Sequence, residues 1–359
     1  MGYWEWSGGV AVSARRTDPG EAHLASNLID DSGMPRFGIH EAPVDAVNYM
    51  DYDLRTPMDR RRSRLARRMG FNQFQFIGLT GPDWCGGVAI VDLKWLALAF
   101  VYIYDIPEKR LMEKSFRTPL SLGVDFDNRP DTGVARFQRG AHSVRIEPRT
   151  DERLVTLASG RDLSGEFRVG GAGYPNPLRV CAPAGYQGWT FTQKWAGLGL
   201  EGELRWGDRV YRASSDHYAS VDWSCGFMRR ETAWNWACLS TRSTSGEVVG
   251  LNLATGINES GVLENALWVD GRLEQLGQVQ FRFQRYNQEA PWHVTTRDGR
   301  VDLTFHPLGH RSERVNAGLI ASNFRQFFGY CYGTLVTADG RSLTVEGSAG
   351  FMEDHYARW

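Results

Sequence analysis

One stretch of this 359-residue chain, from His217 to Trp268, concentrates side chains that could do chemistry. It opens with His217-Tyr-Ala-Ser-Val-Asp222-Trp223-Ser-Cys-Gly226 and continues through Arg229-Arg230-Glu231-Thr-Ala-Trp234-Asn235-Trp236. It runs on to Gly250-Leu-Asn252, Gly256-Ile-Asn258-Glu259 and Glu264-Asn265-Ala-Leu-Trp268. The imidazole and the carboxyls are proton donors and acceptors, the amides can orient a polar group, and the indoles are flat apolar walls. Such a set suits proton transfer beside an apolar molecule. Other chemistries lack their signatures. No Gly-rich dinucleotide fingerprint joins a strand to a helix, and there is no GxxxxGK[ST], HExxH or GxSxG string. Cys85, Cys181, Cys225, Cys238 and Cys331 are scattered without a CxxC pair, so free thiols are expected rather than disulfides or a zinc site. Neither a metal nor an organic cofactor is expected.

β-Strands must position these groups. From residue 72 onward, runs such as 72–77, 86–92, 95–104, 190–195, 234–240 and 248–254 alternate with period two or are rich in β-branched and aromatic residues. Asp270-Gly271, Asp298-Gly299 and Asp339-Gly340 fall between such runs and mark hairpins, because the turn needs positive φ. In a strand, Trp234 and Trp236 share one face and Asn235 takes the other. Many short antiparallel strands with one helix predict an all-β chain, with enough strands for two β-barrels. The expected organisation is an arm and basic helix over 1–70, a first barrel over 71–210 and a second over 211–359 carrying Asp222-Trp223. The helix is expected over 59–69, with Pro57 in its first turn and Gly70 at its end.

Thirteen tryptophans and forty glycines fit a β-rich interior with many turns. A net charge of −1 gives no global attraction to nucleic acid, and no nucleic-acid partner is expected. The start, Met-Gly-Tyr-Trp-Glu-Trp, lacks the basic flank and apolar core of a signal peptide. The longest apolar run, 95–104, is about half of a membrane-spanning helix. A cytoplasmic location is expected. The arginine run from Arg60 to Arg68 is read as a solvated helix face. The sharper alternative is a patch that touches an acidic substrate tail or makes weak contact, through Arg60, Arg61, Arg62 and Arg64, with an acidic membrane surface.

The pattern Asp222-Trp223-Ser-x-Gly226, then Thr232-x-Trp234-x-Trp236-Ala237, Gly250-Leu-Asn252-Leu and Asn258-Glu259 resembles a bacterial family, domain of unknown function 2804. The resemblance extends over nearly all of the chain after residue 20. In pattern, that family is distantly similar to the carotenoid 1,2-hydratase group of tandem lipocalin-like barrels, which includes tocopherol cyclases. The matching positions are Asp222-Trp223, Trp234-x-Trp236 and 248–253. Two departures stand out: Ser224 and Cys225 separate Trp223 from Gly226, and Asn252, Asn258 and Glu259 have no counterpart. The resemblance implies two lipocalin-like antiparallel β-barrels and cofactor-independent protonation of a hydrophobic, isoprenoid or lipid-like alkene. Hydration, isomerisation and cyclisation then differ only in what quenches the cation.

Within that reading Asp222 is the first candidate for the acid, since a carboxyl buried among indoles holds its proton. Its plain alternative is to tie down a strand end through backbone N–H groups. His217 could reprotonate Asp222 or simply sit on a turn; Glu259 and Glu264 are alternative acids or bases. Trp223, Trp234, Trp236 and Trp268 could line the cavity and steady a cation, or be ordinary core. Asn252 and Asn258 are candidate polar contacts, and Tyr356 with His355 could close the second barrel's mouth. Arg229 and Arg230 are expected to pair with Glu231 or neighbouring carboxylates. The rival from another class is a non-catalytic carrier whose barrel mouths hold an apolar ligand.

Overall fold

Period-two alternation carries most of the chain into antiparallel strands. In the computed structural model, which describes residues 26–171, 174–257, 261–318 and 320–358, they form two curled sheets. The first runs in the order Arg110–Pro119, Leu96–Asp105, Trp84–Asp92, Asn72–Thr80, Tyr218–Phe227, Gly188–Trp206 and Leu163–Gly170, then on to Val124–Phe126. The second runs from Arg272–Gln275 through Ala266–Val269, Val248–Thr255, Glu231–Arg242, Ser342–Arg358, Ile320–Val336 and Val301–Ala317 to Val279–Arg282. The all-β expectation holds.

The boundary between the sheets differs from the expected one. Tyr218–Phe227 pairs with Asn72–Thr80 on one side and Gly188–Trp206 on the other, so Asp222-Trp223 belongs to the first sheet. The change of sheet comes after Phe227, not near residue 210, because both edges of that strand are satisfied inside the first ladder. The helix also starts later than expected, at Arg64, and ends at Gly70. The Ser63 hydroxyl caps it by accepting the Ala66 N–H at 3.2 Å. Residues 57–60 instead form a turn, in which the Thr56 side chain accepts the N–H groups of Met58 and Arg60. No helix among the described residues is long and apolar enough to cross a membrane.

Each sheet curls around its own apolar interior, which includes Ile77, Val88, Ile103, Phe137 and Trp195 in the first and Leu251, Val294, Leu303 and Phe327 in the second. A third cluster lies between the sheets and includes Phe76, Tyr102, Trp236, Trp268, Phe328 and Phe351. The N-terminal arm packs Leu28, Val44, Val47 and Tyr52 over Trp189, Phe191, Trp223 and Phe227 on the outside of the first sheet. All five cysteines are buried and unbonded, and burial pushes the Cys238 and Cys331 thiols up to about 12.

The sheets touch where Gly188–Trp206 bulges between Trp195 and Leu198. Gly197 there has φ of 74°, and its N–H donates to Ser240 Oγ of the second sheet at 2.9 Å. Opposite it, a Cβ on Gly250 would lie 2.3 Å from the Ala196 carbonyl carbon. Only glycine permits that approach.

Candidate active site

Because side chains alternate, Asp222 and Trp223 face opposite ways. Trp223 packs outward against Phe126 and Phe191 beneath the arm. Asp222 faces the second sheet. Its register partner on Gly188–Trp206 is Lys194, and its partner on Asn72–Thr80 is Phe76. The row continues through Ala89 and Phe100 to Ser115. One step outward, Thr192, Ser224, Phe74, Val91, Leu98 and Arg117 make a second row in the same registers. Both rows line a cavity of about 760 Å³ between the two sheets.

The polar end of the inner row is a buried ion cluster. Lys194 Nζ lies 2.7 Å from Asp222 Oδ2 and 2.9 Å from Glu264 Oε2. Asp222 Oδ1 accepts from Ser224 Oγ at 2.7 Å, and the Thr192 and Ser224 hydroxyls are 2.6 Å apart. Burial alone would push the Lys194 ammonium down, but the carboxylates of Asp222 and Glu264 outweigh it and hold the group above the usual lysine range. The immediate neighbour of Asp222 is therefore an ammonium, where the sequence suggested indoles alone.

The facing wall belongs to the second sheet and is also built by register. Trp236, Glu353, Gln326 and Arg311 form the inner row, and Trp234, His355, Phe324 and Glu313 the outer one. Trp234 Nε1 donates to Glu353 Oε1 at 2.8 Å, and the His355 ring lies 4.1 Å from the Trp234 ring. Tyr102 of the first sheet donates across the gap to Gln326 Oε1 at 2.6 Å. Arg311 stacks on Phe100 at 4.2 Å and pairs with Glu113 at 2.7 Å, closing one side.

The expected residues divide sharply. Asp222, Glu264, Trp234 and Trp236 line the cavity together, as do His355 and Arg229. Asn252 supports them: its Oδ1 accepts from Trp236 Nε1 at 2.8 Å, and its Nδ2 donates to the Glu264 carbonyl at 2.6 Å. Arg229 donates to the Gly256 carbonyl at 2.8 Å. His217 stands elsewhere, stacked 4.5 Å from Trp84, with its Nε2 3.1 Å from Asp83 and Nδ1 accepting from the Ser214 N–H. Burial pushes its imidazole down, although Asp83 acts the other way. It secures a turn, and the five residue steps of extended chain from it to Asp222 span roughly 17 Å. Trp268 is core between the sheets, bonded to the Asn176 carbonyl at 3.0 Å. Tyr356 alternates away from His355, so it shares the other face of its strand. Asn258 and Glu259 lie outside the described residues.

Sequence reasoning missed Lys194, Glu353, Gln326 and Tyr102. A lysine inside the aromatic run Trp189-Thr-Phe-Thr-Gln-Lys194-Trp195 was the available signal, since a cation in a strand buried on both faces needs a partner. Among the described residues no three His, Cys, Asp or Glu side chains cluster to hold a metal, and Asp222 and Glu264 both pair with Lys194.

No curated protein matches this sequence. Among solved structures, CghA with Sch210972 gives a TM-score of 0.53 at 10% identity, covering 92% of this chain and 96% of that one. CghA by itself gives 0.51 at 10% identity, covering 91% and 95%. Kievitone hydratase from Nectria haematococca gives 0.49 at 10% identity, covering 89% and 98%. At such identity the likeness to CghA is one of fold. The domain of unknown function DUF2804 matches residues 19–359, and the chain belongs to that family.

Proposed function

We propose that the protein binds an apolar, alkene-containing small molecule between its two sheets and converts it by acid catalysis, with the Lys194–Asp222–Glu264 cluster as the proton source. One observation carries this reading: the Lys194 ammonium bridges two carboxylates at the wall of a cavity that Phe74, Phe76, Phe100, Trp234 and Trp236 also line. With both carboxylates ionised the cluster holds one negative charge in a low-dielectric site. Taking up one proton neutralises it, and that proton belongs to the coupled set. Transfer to an alkene carbon draws on the π electrons, leaves a cation on the neighbouring carbon, and returns a carboxylate to the side of Lys194, which stabilises it. The indoles of Trp234 and Trp236 line the facing wall, where π faces favour a cation.

Water or loss of a neighbouring proton quenches that cation, giving hydration or isomerisation. Attack by a second alkene closes a ring and moves the charge to a new carbon, which is then quenched in one of those two ways. In each case one proton returns and the cluster is restored without a cofactor. His355, beside Glu353 on the facing wall, stands where such a proton could be received. The solved structure of CghA with Sch210972 supports small-molecule binding by this fold.

The test is incubation with apolar cell extract in D₂O, followed by mass spectrometry of the extracted compounds. A product with one carbon-bound deuterium is expected. Asp222→Asn leaves Lys194 paired with Glu264, so the protein should fold, yet the rate should fall by about 10²–10⁴-fold. A bound apolar compound recovered unchanged and free of deuterium would identify a carrier and overturn the enzymatic reading.

A further inference from the structure

The cavity runs along the strands from a buried inner end at Lys194, Asp222 and Trp236 to an outer end at Asn72, Trp95, Met228 and Ile320. The same edge of the first sheet carries the helix Arg64–Gly70, the turn at 57–60 and the turn at 185–187. These connections hold three prominently exposed apolar side chains: Met58 at 79%, Leu65 at 69% and Tyr186 at 81%. Two of these connections are joined directly, and the helix that carries Leu65 follows the Met58 turn by a few residues. Gln187 Nε2 donates to the Thr56 carbonyl at 2.9 Å, and Tyr52 donates to the Gln187 carbonyl at 2.6 Å, which ties the Tyr186 turn to the Met58 turn.

Positive charge predominates around this apolar set. Residues 55–68 contain seven arginines and a single carboxylate, Asp59, in a chain whose net charge is −1. Arg55 and Arg61 both pair with Asp53. Arg60, Arg62, Arg64 and Arg68 are exposed and form no ion pair among the described residues. Guanidinium groups match phosphate geometry, and apolar tips between them gain by entering the acyl boundary. An arginine-rich face meant only for solvent would not need Met58, Leu65 and Tyr186 beside it.

We propose that this face docks on an anionic lipid bilayer and sets the cavity's outer end against the membrane. The idea that apolar molecules then pass into the cavity rests on the function proposed above; the docking does not. Full-length protein should co-sediment with vesicles of phosphatidylcholine and phosphatidylglycerol, lose binding as salt rises, and stay in solution with phosphatidylcholine alone. Met58→Ser/Leu65→Ser/Tyr186→Ser should weaken binding about tenfold or more at unchanged charge, and Arg60→Gln/Arg62→Gln/Arg64→Gln should do the same with unchanged thermal stability. Absence of binding to anionic vesicles, or a serine variant that binds like the parent, would overturn the proposal. So would capture of duplex DNA with vesicles ignored. Vesicle binding is read without a substrate, so a failed D₂O experiment leaves this result standing, and a failed vesicle experiment leaves the acid cluster untouched.

Discussion

Lys194 is the residue on which the candidate site turns. Removing it leaves Asp222 and Glu264 buried together without their cation, whereas removing one carboxylate leaves a balanced pair. Lys194→Met should therefore cost about 3–5 kcal/mol in urea unfolding at neutral pH, the usual consequence of orphaning a buried charge. The deficit has a sign with pH. Carboxyls stranded in the variant bind protons more readily folded than unfolded, so its stability should recover as pH falls from about 8 to about 5. A deficit independent of pH would mean that lost packing, not charge, is responsible. The same residue marks the limit of reading a site from sequence. Asp222 and the Trp234-x-Trp236 pair were legible as a local pattern. Lys194 lies twenty-eight positions before Asp222 and becomes its partner only through strand register. Trp223 shows the opposite failure: adjacency in sequence suggested partnership, while alternation placed it under the arm.

At the scale of elements, the crossing of Gly188–Trp206 with Val248–Thr255 fixes the distance between the cavity's walls. Gly250→Ala places its Cβ against backbone atoms of Ala196 that cannot swing aside, so the sheets must separate. Overpacking of this kind typically costs about 1–3 kcal/mol, and thermal unfolding should report a loss at least that large. A variant as stable as the parent would show that the sheets slide freely at this point. Individual strands were readable because alternation and β-branched or aromatic enrichment are local properties, and Asn72–Thr80, Trp84–Asp92 and Val248–Thr255 overlap the runs they marked. The sheet to which each strand belongs was not readable. Tyr218–Phe227 follows a turn-rich stretch that looks like a domain boundary, yet it pairs backward across more than a hundred residues with Asn72–Thr80. The helix was overextended for a local reason, since Thr56 satisfies the backbone of 58–60 in a turn that propensity does not foresee.

For the whole molecule, the consequence is that the cavity lies between the sheets, not in the mouth of either. Both interiors are filled by side chains such as Phe137 and Trp195 in one and Val294 and Phe327 in the other, while the inter-sheet space is open to its outer end. A ligand held there touches both halves of the chain, and neither half carries the site alone. Val91 tests this location. It is half-buried, it lines the cavity from near the end of Trp84–Asp92, and a larger side chain would grow into space instead of into packed core. Val91→Trp should therefore abolish binding of an apolar fluorescent probe while shifting the melting temperature by no more than about 2–4 °C, the change expected for roughly 1 kcal/mol in a protein of this size or somewhat smaller. If the probe binds Val91→Trp as tightly as the parent, the ligand lies inside one of the sheets. The two-wall arrangement of Lys194–Asp222–Glu264 against Trp234 and Trp236 would then have no substrate to act on.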